Sequence, residues 1–189
     1  VDRLLGSLDR REREILMLRY GLDRGEGLPE TLQDRLWRQG INVTIVNAGV
    51  SGDTAAQGAA RVDWSVPDGT DGVILELGAN DGLRGLSVSD MQRNLSEMIQ
   101  AARATKAEVL LLGMMMPPNY GHRYAQDFKA SFTQLALKFK IPLVPFFLDG
   151  VAANPELVLE DGVHPTSAGQ PRILDNVWTE LGPLLTKKP

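Results

Sequence analysis

The chain of 189 residues is 43% apolar and 23% charged, and its 20 basic and 24 acidic residues give a net charge of −4. This length fits one domain of roughly 150–200 residues, which is enough to bury a core. The absence of cysteine excludes a disulfide scaffold, a thiolate zinc site and a cysteine nucleophile. With only two histidines, His122 and His164, a multi-histidine metal site is excluded, and no metal or cofactor is expected.

Charge and hydropathy also limit the partners and the location of the protein. The slightly acidic balance argues against nucleic acid as a partner, because a nucleic-acid-binding surface is basic. No run approaches the ~18 apolar residues of a membrane-spanning helix, and the first residues lack the apolar centre of a secretory signal. We expect a soluble protein without an integral membrane segment, cytoplasmic or, if a signal was removed before residue 1, periplasmic.

The N-terminal segment is unusually charged. Residues 2–26 carry six basic and six acidic side chains, and apolar residues recur between them at helical spacing, as in Ile15, Leu18 and Leu22. Asp9 is placed to cap a helix that begins with the run RRERE, whose opposite charges lie within one turn of each other. The pattern predicts a solvated amphipathic helix over an atypical segment, residues 1–19.

The remainder of the chain alternates between apolar runs and helical patterns. Four short apolar runs, at 41–49, 72–78, 107–113 and 142–147, are typical of buried parallel strands. Helical patterns begin at Pro29, after Asp90, around Phe128 and at Pro171. This alternation predicts a three-layer α/β sheet with right-handed crossovers.

Polar residues and glycines follow the predicted strands, where the ligand crevice of such a sheet lies. Asp161 and His164 stand three positions apart, separated by Gly162 and Val163. A tight loop of this spacing can hold the carboxylate against the imidazole Nδ1 and leave Nε2 as a general base. A surface aspartate beside a surface histidine in a turn has the same spacing.

Gly52 and Asn80 are candidate oxyanion donors. Glycine allows its backbone N–H to approach a developing oxyanion closely, and an asparagine amide supplies a further N–H worth roughly 3–4 kcal/mol in a transition state. Considered singly, each residue also fits a structural role, Gly52 as a turn residue and Asn80 as a strand-end cap.

Four blocks in order resemble the SGNH (GDSL-type) hydrolases: NAGVSGDT, LELGANDGLRG, PPNYGHRY and DGVHP. The most similar branch is the acyl-CoA thioesterase, arylesterase and lysophospholipase group, and the resemblance runs from about Tyr20 to the end of the chain. It implies a flavodoxin-like α/β/α sandwich with a mainly parallel sheet. It also implies hydrolysis of small acyl esters or thioesters through an acyl-enzyme.

The same resemblance implies roles for individual residues. Gly52 and Asn80 would be the oxyanion donors, His164 the base and Asp161 the residue that orients it. The loop after the third apolar run would form the acyl pocket, with its flexible methionines suited to that task. The substrate-binding residues implied in this loop are Met116, Pro118, Asn119 and Tyr120.

The nucleophile block of this family, G-D-S-L followed by x-x-G-Y, is not intact. Its serine lies five positions before the tyrosine, and counting back from Tyr20 gives Ile15. Three explanations stay open: Ser7, in Gly-Ser-Leu, is the nucleophile of a degraded block; the first strand and its serine are lost; or Ser51 acts instead. The second explanation predicts an inactive chain or one that borrows a strand from a partner.

The N-terminal run LDRREREILMLRYGLD has a separate resemblance, to the start of region 4 of bacterial primary sigma factors. The recognition helix that would contact DNA does not follow it, so a transcription-linked role is the weakest hypothesis. If residues 1–19 form a helix, the first strand of the sheet is altered or missing, and a homodimer or strand-swapped dimer would complete the sheet. Residues 20–189 form the hydrolase-like domain in this interpretation.

The leading hypothesis is a serine esterase or thioesterase acting on short- or medium-chain acyl groups through Ser7, and the alternative is an inactive binding or interaction module.

Overall fold

The computed structural model describes residues 13–19 and 27–186. The strands are β1 (Arg13–Arg19), β2 (Val43–Asn47), β3 (Gly72–Glu76), β4 (Glu108–Leu112) and β5 (Leu143–Val144). The helices are α1 (Leu28–Arg38), α2 (Ala55–Ser65), α3 (Ala79–Leu83), α4 (Val88–Ala104), α5 (His122–Phe139) and α6 (Gln170–Thr186). Single 3-10 turns cover Pro118–Tyr120 and Ser167–Gly169.

The five strands form one parallel sheet in the order β2-β1-β3-β4-β5. This is the strand order of the flavodoxin-like sandwich. The predicted α/β fold with a parallel sheet is therefore confirmed. All four predicted strands are present. Each is shorter than the apolar run from which it was predicted, because the runs continue into the loops at the carboxyl ends.

The prediction of a helix through residue 19 is wrong for residues 13–19, which form the central strand β1. Ile15 pairs with Ile45 of β2 on one side and with Gly72 of β3 on the other. The side chains of the run Ile-Leu-Met-Leu at 15–18 are all buried, at 0–6% exposure. Pairing with two distant strands, and burial on both faces, override the local helical spacing and charge pattern.

This strand also removes the premise for a borrowed strand, since the chain supplies its own strand between β2 and β3. Dimerisation itself, and the division of the chain at residue 19, stay predictions.

Helices cover both faces of the sheet. Helix α1 contacts α6, while α4 contacts both α2 and α5. The predicted helix after Asp90 begins earlier, at Val88, and is capped by the Ser87 hydroxyl, which accepts from the Asp90 N–H. Buried side chains from the helices and from both faces of the strands form one core. Among the described helices, none combines the length and apolar character needed to cross a bilayer.

Candidate active site

The carboxyl ends of the parallel strands meet at one edge of the sheet, which positions the loops that follow them. Gly52 lies in the loop after β2, Asn80 in helix α3 directly after β3, and Met116 in the loop after β4. His164 lies in the long segment between β5 and α6. Because all five strands are parallel, these loops, far apart in the chain, follow the same edge of the sheet.

Asp161 and His164 are brought together as predicted. Oδ2 of Asp161 lies 2.7 Å from Nδ1 of His164. The other carboxylate oxygen, Oδ1, accepts the backbone N–H groups of Val163 and His164, both at 2.9 Å. The carboxylate is therefore fixed by its own turn, and it fixes one nitrogen of the imidazole.

Gly162 makes this turn possible, since its φ of +69° lies in the left-handed region that L side chains rarely adopt. The backbone N–H of His164, followed by the side-chain bond to its imidazole, holds the pKa of Asp161 at about 2, below its ordinary value of 3.8. The carboxylate is consequently ionised throughout the neutral range. It also favours the imidazole tautomer with the proton on Nδ1.

Gly52 and Asn80 are joined through the loop after β2. The Asn80 side-chain amide donates to the carbonyl of Asp53 at 3.0 Å, next to Gly52. Gly52 has a φ of +82°, and its N–H has no acceptor among the described residues. Each amide nitrogen thus retains an N–H that can point toward a substrate, because the Asn80 amide has a second hydrogen.

Helix α3 holds this loop by two further bonds that the sequence interpretation missed. Nη2 of Arg84 donates to the Gly52 carbonyl at 2.9 Å, and the buried Asp81 carboxylate accepts the Ala55 N–H at 2.8 Å. Burial raises the pKa of Asp81, against the lowering effect of the Ala55 N–H. Together with Asn80, the two residues contact Gly52 and Asp53 of the β2 loop and Ala55, the first residue of α2. Their partners lie 26, 27 and 32 positions earlier in the chain, so no short sequence pattern identifies these contacts.

Arg61 of α2 supports the same loop from inside the protein. Its Nε donates to Oδ2 of Asp53 at 2.8 Å, and its Nη1 donates to the carbonyl of Ala48 at 2.8 Å. Arg61 therefore binds both ends of the loop that carries Gly52, Ala48 at its start and Asp53 near its end. Sequence alone gave no signal for this residue, because its partners lie eight and thirteen positions before it.

The loop after β4 is divided between the core and the surface. Met116 is buried at 6% exposure, and a methyl group built on Gly82 would lie 2.5 Å from its sulfur. Tyr120 donates its hydroxyl to the Leu83 carbonyl at 3.1 Å, and Asn119 is exposed. Pro118 begins the 3-10 turn. A substrate-binding role for these four residues stays a prediction.

The predicted nucleophile Ser7 lies outside the described residues, and its role stays a prediction. Ser51, the alternative, is exposed in the β2 loop beside Gly52. Ile15, at the position where the family pattern counts a serine, is a buried residue of β1. Between residues 8 and 50 the sequence contains no serine, so the carboxyl end of β1 is not followed by one.

Comparison with known proteins agrees with the four sequence blocks. Esterase TesA of Pseudomonas aeruginosa is 47% identical over 166 residues, which cover 87% of this chain and 83% of that protein. Thioesterase 1/protease 1/lysophospholipase L1 of Escherichia coli K12 is 37% identical over 167 residues, 88% of this chain and 79% of that protein.

The fold and the family model give the same result. The crystal structure of TesA superposes with a TM-score of 0.86 at 44% identity, over 91% of this chain and 99% of that one. Residues 16–172 match the model of the GDSL-like lipase/acylhydrolase family. The chain therefore belongs to this family of lipases and acylhydrolases, the group that its four sequence blocks resemble.

Proposed function

We propose that this chain binds short- or medium-chain acyl esters or thioesters at the carboxyl edge of the sheet and hydrolyses them with His164 as general base. The observation that carries the proposal is the 2.7 Å contact between Asp161 Oδ2 and His164 Nδ1. The names of the similar proteins, an esterase and a thioesterase, support the substrate class.

The chemistry of the pair follows from the contact. The Asp161 carboxylate accepts a hydrogen bond from the Nδ1–H of His164. Nε2 is then the nitrogen that takes a proton from an attacking hydroxyl and later returns it to the leaving group. Because the pKa of Asp161 is about 2, the aspartate is already ionised when the imidazolium forms. It stabilises that positive charge without taking the proton itself.

Gly52 and Asn80 would stabilise the tetrahedral intermediate. The Gly52 N–H and the second Asn80 N–H are the donors available in the β2 loop and α3. Since Arg84 and Asp81 connect the two segments and Arg61 fixes the β2 loop, the donors need little reorganisation as charge develops. Donors fixed in advance are worth more to a transition state than mobile ones.

The attacking group is assigned to Ser7 Oγ in this proposal, which gives an acyl-enzyme. The position of β1 limits how Ser7 could reach His164. Arg13 begins β1 at the amino edge of the sheet, and the seven-residue strand is roughly 20 Å long. For Ser7 to meet His164, the chain from Ser7 to Arg13 would have to run back along the whole length of β1. Fully extended, that segment spans roughly 20 Å at most, which is about the length of the strand.

That condition, and the absence of serine between residues 8 and 50, favour a second candidate function. In it the chain keeps the fold and the Asp161–His164 pair but binds acyl compounds without covalent turnover. The two candidates differ in whether an acyl-enzyme forms.

A fluorophosphonate probe distinguishes them. The probe is incubated with the full chain, the labelled peptide is mapped by mass spectrometry, and hydrolysis of p-nitrophenyl esters from acetate to decanoate is followed in parallel with a short acyl thioester. We expect one labelled serine and turnover that peaks within the short to medium acyl lengths. Ser7→Ala should abolish both, and Ser89→Ala, an exposed serine of α4, serves as its matched control.

The variant His164→Ala should abolish turnover, while Asp175→Asn, an exposed carboxylate on α6, should not change it. Labelling at Ser51 instead of Ser7 would move the nucleophile to the β2 loop. If a folded protein shows neither labelling nor turnover but binds a decyl trifluoromethyl ketone, the second candidate replaces the first.

A further inference from the structure

We propose a second ligand site, for a free fatty carboxylate of short to medium length, in a groove between helix α5 and the loop after β4. The groove has a volume of about 280 Å³ and is lined by Met115, Met116, His122, Ala125, Gln126 and Lys129. Of the predicted site residues only Met116, a predicted substrate-binding residue, lines it, and none of the proposed catalytic or oxyanion residues does. The volume is at the low end for small-molecule pockets, which suits a single short chain.

The floor of the groove is apolar and adaptable. Met115 is half-buried and Met116 buried, and both lie in the loop after β4. Ala125, also half-buried, leaves the space that a larger side chain would fill. Methionine side chains repack around ligands of varied shape, so such a floor accepts an alkyl chain with little specificity for its length.

The rim of the groove is basic. His122 and Lys129 lie seven positions apart on α5, with Ala125 and Gln126 between them at helical spacing, so the four residues share one face of the helix. Both basic side chains are exposed and have no ion pair or hydrogen bond among the described residues.

No carboxylate lines the groove to neutralise this rim. Asp127 of the same helix lies 3.8 Å from Arg123, outside the lining. An apolar floor with the Lys129 ammonium on its rim and no carboxylate in its lining is complementary to an alkyl chain that ends in an anion. Lys129 can lay its methylenes along the chain while its ammonium meets the carboxylate.

The test uses sodium octanoate and the full chain labelled with [methyl-13C]methionine. Six methionines give six methyl signals, assigned by single Met→Leu substitutions. We expect octanoate to shift the Met115 and Met116 signals in a saturable titration and to leave that of Met98, buried in α4, unchanged. The readout does not require turnover. Octanoate bound at the proposed acyl site would also shift the Met116 signal, so the Met115 signal, together with the Lys129 variant, decides for the groove.

Variants test the two parts of the groove. Lys129→Met should weaken octanoate binding by about two- to fivefold, the range of an exposed ion pair, and Arg123→Met, on the same helix but outside the groove, should leave it unchanged. Ala125→Trp should abolish binding by filling the floor. If Ala125→Trp does not fold, Lys129→Met and the methyl shifts still decide the question.

Three results would overturn the proposal. Octanoate could leave the Met115 and Met116 signals unmoved. Octanol could bind as tightly as octanoate, which would remove the role of the basic rim. The chain could sediment with phosphatidylglycerol vesicles in a Lys129-dependent manner without binding octanoate, which would assign the rim to a membrane surface.

Discussion

Arg61 and Asp53 form an ion pair within the protein, with Nε 2.8 Å from Oδ2 and side chains that are only 11% and 8% exposed. Removing one partner leaves the other charge buried, which typically costs about 3–5 kcal/mol. We expect Asp53→Ala to lower the free energy of unfolding by about 3 kcal/mol in urea titrations. Asp34→Ala breaks an exposed pair with Arg38 and should cost less than about 1 kcal/mol. Equal losses in the two variants would contradict this account.

The position of Ile15 gives a second prediction. Ile15→Ser places a hydroxyl in a buried strand between β2 and β3, so it should lower the free energy of unfolding by about 3 kcal/mol and add no esterase activity. Ile15→Val, which removes one methylene, should cost about 1 kcal/mol. Chemical denaturation and p-nitrophenyl butyrate hydrolysis measure the two effects. A gain of turnover in Ile15→Ser would show that residue 15 reaches the site.

Gly162 gives a third prediction. A methyl group there meets no atom within 4 Å, so Gly162→Ala is opposed only by the backbone φ of +69°. The cost should be about 1 kcal/mol. Gly162→Asn should cost less, because asparagine adopts the left-handed region more readily. Thermal unfolding of both variants tests the order, which would be reversed if side-chain volume were the deciding factor.

The carboxyl group of Asp161 gives a prediction about pH. Its pKa is about 2 in the folded protein against 3.8 ordinarily, so it stabilises the folded state above pH 3.8 and loses this contribution as the pH falls through about 2. Carbon-detected NMR titration of the carboxyl carbon should give the midpoint.

His164→Ala keeps the backbone N–H that is the largest cause of this shift. We therefore expect the pKa of Asp161 to rise in that variant and yet to stay below 3.8. A return to the ordinary value would mean that the imidazole alone holds the carboxylate.

The parts of the site that the sequence predicted are those whose partners are close in the chain. Asp161 and His164 are three positions apart, and their contact follows from one turn. Gly52 and Asn80 were identified from family blocks, each of which is continuous. Arg61 and Arg84 were not, because their function depends on backbone carbonyls of a loop in another part of the chain. No short pattern encodes a bond to a carbonyl.

Strand β1 was misinterpreted for a related reason. The run Ile-Leu-Met-Leu at 15–18 is only four residues long, and a run of that length does not distinguish a strand from a buried helical turn. The surrounding charges favoured a helix. What decides the conformation is a pair of neighbours, β2 and β3, that the local sequence does not contain.

The central place of β1 has a consequence for synthesis of the protein. The Glu14 N–H donates to the carboxylate of Asp71, 57 positions further along the chain, so β1 leaves the ribosome well before β3. At about 5–20 residues per second the strand waits for several seconds before its second neighbour, β3, is synthesised. The charged residues Arg13, Glu14 and Arg19 flank that run, and charges in such positions oppose aggregation of exposed strands. The nascent chain thus carries charged residues on both sides of the apolar run that must wait for its second neighbour.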